Sequence, residues 1–143
     1  MIKILAATDG SQPALNACRV TARMLAPGSA EIRLLTVLSY HLYPGSLVPG
    51  EHVPGEQSMQ QAEGGAIEAA TSEARGAFED AGQQVSVTHR FGNPRDEIIA
   101  EVSEWGPDVL VLGRRGVRGL ERWLGSVSEH VVRHVQVPVF IVP

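Results

Sequence analysis

The stretch from Val109 to Ser126, VLVLGRRGVRGLERWLGS, decides the fold. A run of branched apolar residues ending at Gly113 reads as a strand buried on both faces, and a loop of glycines and arginines follows at once. In an α/β protein that is where an anion sits. Glycine lets backbone N–H groups approach a ligand with no Cβ between, and Gly125-Ser126 stand just before another helix, whose first amides carry partial positive charge. Gly113, Gly116, Gly125 and Ser126 are therefore phosphate or ribose candidates. Strand-to-helix loops also need glycine simply to turn, so the pattern alone leaves both readings open. Between Gly113 and Gly125 stand four arginines, Arg114, Arg115, Arg118 and Arg122, against one acid, Glu121. Such a loop is often only solvated, but beside a helix terminus its guanidinium groups suit phosphate oxygens.

Outward toward the C-terminus, Ser126 to His134 reads as the last helix, and Ser126 with Glu129 has capping-box spacing, which explains that serine without a ligand. Val137 to Val142 (VPVFIV) is a final strand. Toward the N-terminus, Asn93-Pro94 is the clearest helix start: Asn caps, Pro takes the first helical position, and Asp96 and Glu97 complement the dipole. Ile98, Ile99, Val102 and Trp105 form its buried face until Gly106-Pro107. Gln84 to Arg90 alternates as a strand nearer the sheet edge, with His89 among its polar positions. Gln57 to Ala81 is a long helix with Met59, Ala62, Ala66, Ala70, Ala74, Ala77 and Ala81 on one stripe, weakened by Gly64-Gly65. Ser39 to Glu56 is a loop rich in Pro and Gly, whose Tyr40, His41 and Tyr43 suit either a cover for a bound base or an ordinary exposed loop.

Glu31 to Leu38 is the second strand and Ile2 to Thr8 the first. The first closes on Asp9-Gly10-Ser11, after which Leu15, Cys18, Ala22 and Leu25 recur at helical spacing as far as Pro27-Gly28. Ser11 or Asp9 can cap that helix; equally, Asp9 is a polar group at the carboxyl end of a central strand, aimed at a ligand. The order β-α-β-α-β-α-β-α-β, with connections long enough for parallel crossovers, implies a doubly wound parallel sheet with helices on both faces. Ligands bind such sheets outside the carboxyl ends of the strands, where the winding reverses.

Composition sets the outer limits. At 143 residues and 43% hydrophobic content the chain reads as one ordinary domain spanning 1–143. The single cysteine, Cys18, allows no intrachain disulfide and reads as an inert core thiol in a reducing compartment. The opening MIKILAATDG lacks the h-region of a signal peptide and no apolar run reaches membrane-spanning length, so a cytoplasmic protein without membrane partners is expected. A net charge of −4 argues against broad nucleic-acid binding.

Motifs narrow the chemistry. There is no G-x-x-x-x-G-K-[ST] P-loop, no G-x-G-x-x-G after the first strand, and no G-x-S-x-G nucleophile elbow. His130 and His134 stand four apart and could share a metal, but no H-E-x-x-H or third ligand accompanies them. No acid and base are paired near the glycine loop to activate water, so no catalytic residue is expected and any hydrolysis would be slow.

The residues that remain resemble the universal stress protein family across essentially the whole chain. They are Ile4 to Ser11 (ILAATDGS), Leu34-Leu35-Thr36-Val37, Gly92-Asn93-Pro94, Gly113-Arg114-Arg115-Gly116 through Gly125-Ser126-Val127-Ser128-Glu129, and Val137-Pro138-Val139. The resemblance implies a five-stranded parallel sheet of order 3-2-1-4-5, which brings Asp9 and Gly113 together at the winding reversal. It implies an ATP site, with or without Mg, formed by Asp9, Val37, Gly113, Gly116, Gly125 and Ser126, with Thr8, Leu112, Arg115 and Val127 as neighbours. It further implies a stress-response homodimer in which nucleotide is chiefly a regulatory ligand; the apolar terminal strand 137–142, which would invite aggregation if left open, is expected to pair across the two-fold axis. One departure stands out: eight residues (VRGLERWL) separate Gly116 from Gly125, where the family signature has nine. The expectation is that the connector absorbs the loss and ATP still binds. The alternative is a dimeric interaction module that binds no nucleotide.

Overall fold

The computed structural model describes residues 1–38, 55–114 and 125–143. Among these, β1 (Ile2–Ala7), α1 (Gln12–Met24), β2 (Ala30–Leu38), α2 (Glu56–Asp80), β3 (Gln84–Phe91), α3 (Pro94–Trp105), β4 (Val109–Gly113), α4 (Ser126–His134) and β5 (Val139–Val142) alternate along the chain. The strands form one sheet of order β3-β2-β1-β4-β5, with every neighbouring pair parallel. The sheet is doubly wound with the expected order. Strand β1 pairs on one side with β2, from Ile2 opposite Ala30 to Ala7 opposite Leu35, and on the other with β4, where Ala6 faces Val111.

The two-residue repeat of the strands divides their side chains between two cores. Ile4 and Ala6, Ile32 and Leu34, and Val111 pack with Leu15 and Cys18 of α1 and Ala74 and Phe78 of α2. Leu5, Leu35, Leu110 and Leu112 pack on the opposite face with Ile98 and Val102 of α3 and Val131 of α4. Burial on both faces is why these strands read as nearly unbroken apolar runs.

Local chemistry sets the helix ends. Ser11 caps α1, its Oγ accepting from the Ala14 N–H at 3.4 Å, while the Asp9 carboxylate accepts from the Ser11 N–H at 2.9 Å and shapes the turn before it. Asn93 caps α3 through the Arg95 N–H at 3.0 Å, and Gly106 ends that helix in the left-handed region at φ 65°.

Three expectations need correction. The inward face of α2 is wider than the alanine stripe: Ala74 of that stripe is buried and Met59, Ala66, Ala70, Ala77 and Ala81 are half-buried, but Thr71 and Phe78 are buried as well, whereas Ala62 is exposed. The Thr71 hydroxyl bonds back to the Ile67 carbonyl at 2.7 Å, so a polar residue fits an apolar interface without an unpaired group. The last strand begins at Val139 and not at Val137; the Pro138 carbonyl still accepts from Leu110, but proline has no N–H to extend the ladder. The third correction concerns the start of α4 and belongs to the site.

Candidate functional site

The winding reverses between β1 and β4, whose carboxyl ends lie side by side and whose following helices leave toward opposite faces of the sheet. Thr8, directly after β1, is buried. Its N–H continues the pairing to Leu35 O at 2.9 Å, and its hydroxyl donates to Ala70 O of α2 at 3.0 Å while accepting from the Gly10 N–H at 3.2 Å. Both hydrogen-bonding roles of that hydroxyl are filled within the protein, so Thr8 anchors the turn to α2. Gly10 is required there: it sits at φ +80°, and a Cβ would come within 3.2 Å of Ala70 Cα. Asp9 between them is exposed, with one oxygen on Ser11 N–H.

At the end of β4, Gly113 meets three neighbours. A Cβ built on it would stand 2.8 Å from the Pro13 carbonyl carbon and 2.9 Å from Ala14 N, both backbone atoms of α1. Its own carbonyl accepts from Ser128 Oγ of α4 at 2.9 Å, and Arg114 N, one residue on, donates to Val142 O of β5 at 2.8 Å. The close approach that demands glycine at 113 is therefore α1, whatever else binds nearby. A larger residue here disturbs the fold with or without a ligand.

The chain leaves β4 at Arg114 and enters α4 at Gly125, and these two residues are directly bonded: the Gly125 N–H donates to Arg114 O at 2.8 Å. Arg115 and Gly116, together with Arg118 and Arg122, lie outside the described residues, as do Tyr40, His41 and Tyr43. Gly125 is the N-cap of α4, its carbonyl accepting from the Glu129 N–H at 2.9 Å, and no side chain caps the helix. This overturns the Ser126–Glu129 capping box. The bond from Gly125 to Arg114 sets the helix start one residue earlier, Ser126 becomes the first helical residue, and Glu129 pairs with Arg133 at 2.9 Å. Among the described residues, no protein group bonds the N–H of Ser126 or Val127, so none of these residues fills the positive end of α4.

Two further expected residues are present but face one side only. Leu112 is buried in the core under α3 and α4, and Val37 packs half-buried against the same core near the carboxyl end of β2. The residues brought together by the topology are thus Thr8, Asp9 and Gly113, with Gly125 bonded to Arg114 after β4 and Ser126 and Val127 following it in α4. Sequence reasoning missed Ser128. Its signal is its phase: it falls three residues before Val131 and seven before Val135, on the inward stripe of α4, and a serine there needs a partner.

Elsewhere, His134 Nδ1 lies 2.7 Å from the His130 carbonyl with the two rings stacked at 4.2 Å, and the described residues hold no cluster of three metal-ligating side chains. Cys18 is buried on the inward face of α1, and desolvation pushes its thiol up to about 12. On the α3 side, Arg90 binds Glu97 at 2.7 Å, Glu101 at 3.1 Å and Glu104 at 2.9 Å, while Arg33 binds Glu101 at 2.8 Å. Hydrogen bonds to Glu104 and Glu97 raise the Arg90 guanidinium further above its usual range, and the same arginine lowers Glu104.

The sequence profile of the Universal stress protein family matches residues 1–143. The chain belongs to the universal stress protein family. Among its relatives, universal stress protein MJ0531 of Methanocaldococcus jannaschii is 29% identical over 141 residues, 98% of this chain and 81% of that protein. A more local match, 48% over 54 residues, joins 37% of this chain to 35% of universal stress protein Sll1388 of Synechocystis. Protein MJ0577 of Methanocaldococcus jannaschii is similar in structure, with a TM-score of 0.76 and 26% identity, covering 99% of this chain and 94% of that one. A universal stress family protein of Arabidopsis thaliana, solved with AMP bound, shares the fold at a TM-score of 0.71 and 21% identity, over 99% of this chain and 91% of that one. Two further universal stress proteins, in complex with cAMP and with dAMP, share the fold at 23% and 19% identity.

Proposed function

We propose that this chain is a single-domain, cytoplasmic stress-response protein that binds an adenine nucleotide, ATP with or without Mg, as a regulatory ligand at the carboxyl ends of β1 and β4. The observation that carries the reading is the start of α4. The N–H groups of Ser126 and Val127 have no protein partner among the described residues, and they stand directly beside the end of β4, at the reversal of the sheet. Such amides suit phosphate oxygens, which accept hydrogen bonds and sit favourably at the positive end of a helix. Val37 would lie against the base, and Asp9, exposed beside β4, would meet the ribose. The family relatives solved with AMP, cAMP and dAMP support adenine as the base. Arg115 and Gly116 complete the proposed set by the family signature alone.

Protein purified without added ligand is denatured and the supernatant examined for adenine nucleotide, and the emptied protein is titrated with ATP and with AMP by calorimetry. Saturable binding by either is expected. Absence of both co-purified nucleotide and heat of binding at millimolar ligand would refute the reading and favour the interaction module.

The same proposal includes a homodimer through β5. That strand is at the sheet edge, with Val139, Phe140 and Ile141 only half-buried, and an open apolar edge is a template for pairing. Sedimentation showing only monomer at tens of micromolar, roughly where weak dimers form, would count against it.

A further inference from the structure

We propose that Ser128 is a positioning residue of the nucleotide site, fixing where the amides of Ser126 and Val127 stand whatever the length of the segment before them. The proposal rests on the adenine-nucleotide reading above. Ser128 is one turn inside α4 and more than nine-tenths buried, so its hydroxyl needs a partner, and it finds the carbonyl of Gly113, the last residue of β4, at 2.9 Å. A second bond runs parallel to it, from the Gly125 N–H to Arg114 O at 2.8 Å. Two consecutive carbonyls at the end of β4 thus hold two points of α4, one at its cap and one three residues on.

Two such bonds on one helix turn fix both its distance from the strand and its rotation about its own axis. Either bond alone leaves the turn free to pivot. Gly113 has little room to yield in response, because the backbone of Pro13 and Ala14 occupies the space where its Cβ would be, and its neighbour Arg114 is bonded to Val142 of β5. The frame to which α4 is fastened is thus the sheet and α1. The segment 115–124 enters and leaves through residues already bonded to each other, so its length does not set the place of Ser126 and Val127. This accounts for a chain that keeps both glycine pairs of the family signature while having one residue fewer between them.

The test uses the full chain, Ser128→Ala and Ser128→Thr, each with and without one leucine inserted after Trp123. Affinity for ATP and AMP is measured by calorimetric titration, and exchange of the Gly125 amide is followed by NMR without ligand. Ser128→Ala is expected to weaken nucleotide binding about tenfold, the size of one buried hydrogen bond, and to speed Gly125 exchange by a similar factor. Ser128→Thr keeps the hydroxyl and should restore both. Insertion should change the parent's affinity less than about threefold but alter that of Ser128→Ala by more, a coupling that a purely structural serine would not produce. If Ser128→Ala binds nucleotide as the parent does, the proposal is overturned while the functional reading stands. If the parent binds neither nucleotide, the functional reading fails first and takes the proposal with it.

Discussion

Replacing Gly113 with alanine should destabilise the protein even in the absence of any ligand. The added methyl would stand 2.8 Å from Pro13 C and 2.9 Å from both Ala14 N and Pro13 O, against ordinary contacts of about 3.5 to 4.0 Å between carbon atoms. All three are backbone atoms, so no side chain can rotate away, and α1 or the end of β4 must move by most of an ångström. Overpacking of this kind costs about 1 to 3 kcal/mol. The displaced Ala14 N–H is also the donor to the Ser11 cap, a bond already long at 3.4 Å, and its loss adds about 1 kcal/mol. Reduced freedom of the unfolded chain returns about 0.5 kcal/mol. The net is a loss of about 1.5 to 3.5 kcal/mol, read by urea denaturation followed by circular dichroism, with the midpoint falling and the slope unchanged. Gly113→Val should be worse. A Gly113→Ala variant within about 0.5 kcal/mol of the parent, the usual range for harmless substitutions, would refute the argument that α1 is what demands this glycine.

Gly64 and Gly65 lie inside α2, and a Cβ added at either would meet no atom within 4 Å, so Gly64→Ala and Gly65→Ala should each stabilise the protein by up to about 1 kcal/mol in the same urea assay. Glu101 is buried between Arg33 and Arg90, and both arginines retain access to water; Glu101→Ala should cost about 1 to 3 kcal/mol, clearly more than the exposed Glu104→Ala. Because burial raises the Cys18 thiol from 9.0 to about 12, the unfolded chain loses its proton first, and stability should fall between those pH values by at most about 1.4 kcal/mol per unit. Cys18→Ala should flatten that limb of the pH–stability curve.

Where local chemistry and tertiary packing agree, the elements are legible in the sequence. Asn93-Pro94 carries cap, first-turn proline and acidic first turn in close succession, and α3 starts there with the expected bond from Arg95. The buried strands are readable because both faces are covered by helices, which removes any polar alternation. The start of α4 misleads because capping-box spacing is a purely local pattern, whereas the position of Gly125 is set by Arg114, across a segment that the pattern cannot see. Helix α2 is legible in part: Ala74 and Ala81 of its alanine stripe do pack in the core, and only contact with the sheet adds Phe78 to that face. Gly113 stands out in the sequence as unusual, but the cause lies in α1, about a hundred residues earlier in the chain, and no spacing rule connects the two.

The doubly wound order explains why structural and binding demands meet at the same few residues. With β1 and β4 adjacent and their helices departing to opposite faces, the two chain crossings must clear each other at the end of β4, so the residue there can carry no side chain on the α1 side. The same geometry turns the start of α4 back toward the strand ends, where Ser128 and Gly125 hold it by the two carbonyls of Gly113 and Arg114. Thr8 does for the turn after β1 what Ser128 does for α4, binding it to Ala70 through a buried hydroxyl. Among the described residues, the amides of Ser126 and Val127 have no protein partner, and they lie at the same end of the sheet as the exposed Asp9, beside backbone held by other elements. A rigid frame around such donors costs little reorganisation when an anion arrives, which is the property a regulatory nucleotide site needs if its occupancy is to follow ligand concentration.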